Sequence, residues 1–139
     1  MIISESIVNI SKAMLAVQAN MVQPKKTAEN PFFKSRYVNL DGTVNAIKEL
    51  CAENGLSYTQ SIVSSEAGIG VQTMIMHTSG EYIIHEPFYL PVAQKTAQSG
   101  ASSATYARRY ALSAAFGIVA DEDDDGNEAS QKSQKNLDF

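Results

Sequence analysis

The chain has one cysteine and no tryptophan in 139 residues. A lone thiol excludes an intramolecular disulfide and any zinc site built from several cysteines. Free cysteine is among the most buried residue types, so Cys51 reads as a core side chain. No stretch reaches the roughly eighteen uninterrupted apolar residues of a membrane span. The N-terminus also lacks the basic region, apolar block and small-residue cleavage site of a secretory signal. A cytoplasmic protein with no membrane partner is expected. No G-x-x-x-x-G-K-[ST] phosphate loop occurs, which disfavours ATP-driven chemistry. Basic residues are missing from a long central stretch: between Cys51 and Gln94 there is neither Lys nor Arg.

What is present suits one compact domain, with 44% hydrophobic residues and enough length to bury a core without staples. The net charge of −4 is unevenly spread. Residues 1–120 carry nine basic against eight acidic side chains, and residues 121–139 carry two against seven. The basic groups gather at Lys25, Lys26, Lys34 and Arg36, and again at Lys95, Arg108 and Arg109. Such clustering bears on polyanion binding more than net charge does.

Ile7, Ile10, Met14, Val17 and Met21 recur at helical spacing, with Ser4 as the expected N-cap. Val8, Leu15 and Val22 form a second stripe beside the first, wide enough to serve contact between subunits; Ile7, Met14 and Met21 are the interface candidates, with a core role as the alternative. Gln23 to Asn39 reads as a loop or short hairpin marked by Pro24 and Asn30-Pro31. Asp41 opens a second helix carrying Val44, Ile47, Leu50 and Cys51, which closes at Asn54-Gly55. Three extended runs follow, "LSYTQSIV", "GVQTMIMH" and "EYIIHEPFYL", joined by turn chemistry, so an antiparallel meander is expected, with an edge or bulge at Pro87 and Pro91. "GIG" at 68–70 reads as a turn. After "QKTAQSG" a last helix begins and stops at Gly117. The fold class is α+β, with a three-stranded antiparallel β-meander packed on a long C-terminal helix and two N-terminal helices. Residues 1–120 form a single domain, and residues 121–139 an acidic, mobile tail.

The last helix carries the most chemistry. In "SATYARRYALSAAFGIVADEDDDGN", Ala104, Ala107, Ala111, Ala114 and Ala115 fall on one side and let the helix approach the sheet. Arg109 points away from that face among Thr105, Tyr106 and Ser113, Arg108 lies at its margin, and Tyr106 and Tyr110 are one turn apart. Such a strip suits the phosphates and sugars of a nucleic-acid strand. The alternative is that the arginines pair with Asp121 to Asp125. That acidic run in turn reads as a solvated tail, a gate competing with DNA for Arg108 and Arg109, or oxygen ligands for Mg²⁺. No His stands beside it as a general base, so neither catalysis, a metal site nor a cofactor is expected. His77 and His85 read as ordinary strand residues.

"NPFFKSRYVNLDGTVNAIKELCAENGLSYTQ", "GVQTMIMHTSGEYI" and above all "SSATYARRYALSAAFGIVADEDDDGN" closely resemble the Erf family of phage single-strand annealing proteins, over roughly residues 30–127. The resemblance implies ATP-independent annealing of complementary single-stranded DNA in phage homologous recombination, by homo-oligomeric rings or filaments in the host cytoplasm. It also implies a fold similar to the eukaryotic strand-annealing mediator, with a DNA groove where meander and helix meet. Arg108 and Arg109 then become the expected phosphate contacts, with Tyr106 and Tyr110 beside them. Lys34, Arg36 and Tyr37 form the second wall, and Lys25, Lys26 and Lys95 complete the basic set. One departure is that the meander offers no basic residues, which that fold commonly uses. The closing "NLDF" resembles the acidic, Phe-ending tails of single-strand-binding proteins, which makes a host protein of that kind a candidate partner. The alternative function is an oligomeric module that binds RNA or an acidic protein without annealing.

Overall fold

The computed structural model describes residues 1–32 and 34–123. Most of the tail expected to be mobile, including "NLDF", lies outside the described residues. The elements run β1 (Ile2–Ile3), α1 (Val8–Asn20), β2 (Ala28–Glu29), β3 (Arg36–Tyr37), α2 (Leu40–Glu53), β4 (Leu56–Ser65), β5 (Gly68–His77), β6 (Tyr82–Ile84), β7 (Phe88–Leu90) and α3 (Ala97–Phe116). The fold is mixed α+β, with three helices and an antiparallel sheet. No helix among the described residues is long and apolar enough to cross a membrane.

β5 is the central strand. It pairs along its whole length with β4, from Leu56 opposite His77 to Ser65 opposite Gly68. On its other side the third extended run is split: β6 pairs with Met74–Met76 and β7 with Ile69–Val71. The break falls at Pro87, which has no N–H to give to a ladder. Val71, Thr73 and Ile75 alternate inward along β5 and are buried.

Three local expectations are corrected. "GIG" is the start of β5 rather than a turn: a Cβ on Gly70 would stand 1.8 Å from the carbonyl oxygen of Phe88, so the close approach of β7 requires glycine there. Ser4 does not cap α1. It extends the pairing of β1 with β6, its N–H donating to the Tyr82 carbonyl at 3.0 Å and its hydroxyl oxygen accepting from the Tyr82 N–H at 3.0 Å. Helix α3 starts inside "QKTAQSG", because the Thr96 hydroxyl accepts from the Ser99 N–H at 3.1 Å and caps it one turn earlier.

The vacant cap of α1 is filled from the sheet. Glu81, buried at the turn before β6, accepts from the Asn9 N–H at 3.0 Å and from the Ser79 hydroxyl. The Ser79 hydrogen bond foremost, then those from Asn9 and Ile10, hold this carboxyl below its ordinary value. A depressed folded-state value contributes stability above the unfolded value of about 4.3, and that contribution disappears as pH falls through the lower folded value. Glu81→Gln is therefore expected to lower the thermal midpoint at pH 7 and to converge on wild type only once the pH has fallen below the depressed folded-state value, as read by melting curves across pH.

Ile10, Val17, Ile47, Cys51, Ile75, Leu112 and Phe116 form the core between the sheet and the helices. Met14 and Met21 pack against it, whereas Val8, Leu15 and Val22 remain exposed. The outward apolar stripe of α1 is thus the second one, and of the earlier interface candidates Ile7 is exposed while Met14 and Met21 are only partly so. Burial raises the Cys51 thiol's pKa, as suits a core side chain.

Candidate nucleic-acid interface

The segment between α1 and α2 folds as a small hairpin. In its turn the Asn30 side-chain oxygen accepts from the Phe32 N–H at 2.9 Å, and the Asn30 N–H donates to the Ser35 carbonyl at 2.8 Å. Lys34 takes a left-handed backbone, with φ 53°. The hairpin is fastened to the chain leaving α3. The Val38 N–H donates to the Ala120 carbonyl at 2.8 Å, and Tyr37 bridges to Asp121. Gln23 adds a clamp, its amide group bonding the Gly117 carbonyl at 3.1 Å and the Val119 N–H at 2.8 Å.

Between this hairpin, the start of α2 and the outer side of α3 runs a groove in two parts. One part, of about 410 Å³, is lined by Asn39, Gln98, Ser102 and Thr105 among others. The second, of about 470 Å³, is lined by Phe32, Arg36, Tyr110 and Glu122 among others. Tyr37, Tyr106 and Arg109 line both, so the two parts adjoin. Phe32, Tyr106 and Tyr110 are exposed there. Aromatic faces beside polar side chains are what a sequence-tolerant single-strand platform needs, and the charged lining is Arg36 and Arg109 with Asp121 and Glu122.

Arg109 is the principal correction. It is 5% exposed, not solvent-facing. Its guanidinium lies 4.7 Å from the ring centroid of Tyr37 and 4.5 Å from that of Tyr110, and it donates to the Asp121 carboxylate at 3.0 Å. The side of α3 opposite the alanines is not bare, because α2 and β3 pack against it; Arg109 is buried with Leu112, Ser113 and Phe116. On the alanine side Ala107 is buried while Ala114 is exposed, so that face is only partly covered. Arg108 is exposed on a different side of α3, where its carbonyl accepts from the Gln60 amide at 3.1 Å and its charge acts on Tyr58 of β4. The two neighbouring arginines therefore do not form one strip.

The structure brings Arg36, Tyr37, Tyr106, Arg109 and Tyr110 together in the groove. Lys34 is exposed in the hairpin turn, Lys25 and Lys26 lie on the approach to it, and Lys95 is exposed just before α3. Phe32, Asn39, Gln98 and Ser102 went unassigned in the sequence; only the paired aromatics of "NPFFK" signalled a contact surface. Asp121, read as the first residue of the tail, is tied into the groove wall. Among the described residues no cluster of acidic, His or Cys side chains is arranged to hold a metal ion.

The model of the ERF superfamily matches residues 10–138. The chain belongs to the ERF superfamily. That match spans the hairpin, β4 to β7 and α3, so the groove of this ERF chain lies wholly inside the family region. Comparison with curated proteins and with solved structures gives no match.

Proposed function

We propose that this ERF-superfamily chain binds single-stranded DNA along the hairpin–α3 groove and anneals complementary strands without ATP and without cleaving them, in phage recombination. The observation that carries the reading is a groove walled by Tyr37, Tyr106 and Tyr110, rimmed by Arg36, in a chain of this family. Annealing requires backbones to be held while bases stay free to pair, so sequence-blind phosphate and stacking contacts are wanted. Arg36 and Lys34 take the phosphates. Arg109, already neutralised by Asp121, fixes the aromatic walls, and Arg108 lies outside the groove. The likeness to the eukaryotic strand-annealing mediator belongs to this proposal and rests on the sequence resemblance.

The deciding experiment is renaturation of complementary oligonucleotides without nucleotide. Acceleration with intact strands after incubation in Mg²⁺ is expected; strand retention without acceleration supports the RNA- or protein-binding alternative, and nicked product overturns the non-catalytic reading. Arg36→Ala and Lys34→Ala are each expected to weaken binding across all sequences. Each should also lower the salt slope by about 0.7 per lost contact, measured by fluorescence anisotropy from low to moderate salt.

One groove holds only a short strand, so we place many side by side in a ring or filament, with host cytoplasm as the setting and a host single-strand-binding protein as a candidate partner. Heterologous contact through Val8, Leu15 and Val22 suits such an assembly. Leu15→Asp is expected to reduce the oligomer seen by light scattering without unfolding the subunit, since Leu15 is 67% exposed.

A further inference from the structure

A second cavity, of about 540 Å³, opens between the C-terminal half of α3 and the interrupted third run of the sheet. Its origin is local. Ala111, Ala114 and Ala115 leave space along the helix, and the break between β6 and β7 leaves the facing sheet without a continuous strand. Phe88 and Tyr110 form its aromatic walls, with ring centroids 6.3 Å apart at 64°. Thr73, His85 and the ion pair of the Met1 ammonium with Glu86 supply its polar groups.

Three observations say what fits. Tyr110 lines both this cavity and the DNA groove, so the two adjoin at one ring. The Nε2 atom of His85 is sealed from solvent and has no hydrogen-bond partner among the described residues, a cost that a ligand with a matching polar edge removes once the ring turns toward the cavity. The lining contains no Lys or Arg, and its one carboxylate, Glu86, is paired with the N-terminal ammonium of Met1, so the cavity carries no net charge to hold a phosphate. Burial also holds the His85 imidazole below its ordinary pKa, so at neutral pH it offers one donor and one acceptor rather than a charge.

We infer that this cavity is a nucleobase pocket: a strand lying in the groove turns an unpaired base past Tyr110, between Phe88 and the alanines of α3, with its polar edge toward His85 and Thr73. This rests on the single-strand reading of the groove and extends it. A paired base cannot enter without leaving its duplex, which costs stacking and pairing energy. The pocket therefore favours single strands over duplex and loses its occupant when the complement pairs, which links annealing to release of the product.

The test compares binding of oligothymidylate with that of an abasic strand of the same length, for wild type, Ala114→Leu and Phe88→Ala. Ala114 is exposed and Phe88 is 37% exposed, so both variants should fold, checked by circular dichroism. Wild type is expected to bind oligothymidylate roughly tenfold more tightly than the abasic strand, since stacking one base is worth that much or more. Both variants should reduce this preference to what stacking on the groove's own aromatic walls supplies, while binding the abasic strand as wild type does. A 2-aminopurine placed in the strand should be quenched on wild type and much less on Ala114→Leu. If wild type binds neither strand, the single-strand reading itself fails. If it binds oligothymidylate and the folded variants keep both its preference and its quenching, the pocket is overturned and the groove stands.

Discussion

Gly70→Ala is expected to lower the unfolding free energy by about 3 kcal/mol, the upper end of what overpacking costs. The added methyl would meet the Phe88 carbonyl oxygen at 1.8 Å and the Tyr89 Cα at 2.8 Å. Backbone cannot swing aside as a side-chain tip does, so β7 must part from β5. That displaces Phe88, which packs edge-on against Tyr110, and the damage should reach single-strand binding as well. Gly100→Ala supplies the contrast. Gly100 sits in the first turns of α3 with nothing within 4 Å of an added Cβ, so the same substitution should stabilise by about 0.5–1 kcal/mol. Urea unfolding of both variants checks this; equal midpoints would mean that β5 and β7 do not approach as described.

Arg109→Met is expected to cost about 2–3 kcal/mol, because it removes a charge-assisted hydrogen bond and contacts to two aromatic faces while keeping much of the side chain's volume. The loss stays below that of a fully buried broken pair, since the Asp121 side chain is 43% exposed and can be hydrated once Arg109 is gone. A double-mutant cycle with Asp121→Ala should give a coupling of about 0.5–3 kcal/mol. The DNA readout separates two roles. With its charge already matched by Asp121, Arg109 should leave the salt slope almost unchanged when replaced, in conditions where the variant stays folded, whereas Arg36→Ala lowers it by about 0.7. A drop in Arg109→Met equal to that of Arg36→Ala would make Arg109 a phosphate contact that displaces Asp121 on binding.

Much of the secondary structure was legible because its signals are local. The helical spacing of Ile10, Val17 and their neighbours, Asn54-Gly55 as a helix end, Gly117 with φ 76° and the ladder interruption at Pro87 each depend on the backbone chemistry of a few adjacent residues. The two-residue β1 was invisible, since a pair of isoleucines carries no period and becomes a strand only beside β6. Glu81 as a cap was equally hidden, because it serves a helix 72 residues away in sequence.

The sequence by itself determined the three helices, the extended runs, the core cysteine and the segments in which groove residues would be found. Only the tertiary structure decided which of them meet. Adjacent helical residues are turned by about 100°, so Arg108 and Arg109 had to face different surroundings. Which one reached solvent depended on where α2 and β3 came to rest. Periodicity identifies the side of a helix that is apolar, but not what covers the opposite side. Arg109 was therefore read as exposed and is buried beside its neighbour Tyr110 against Tyr37 and Asp121, the first brought to it by a hairpin more than seventy residues earlier and the second by the chain beyond α3.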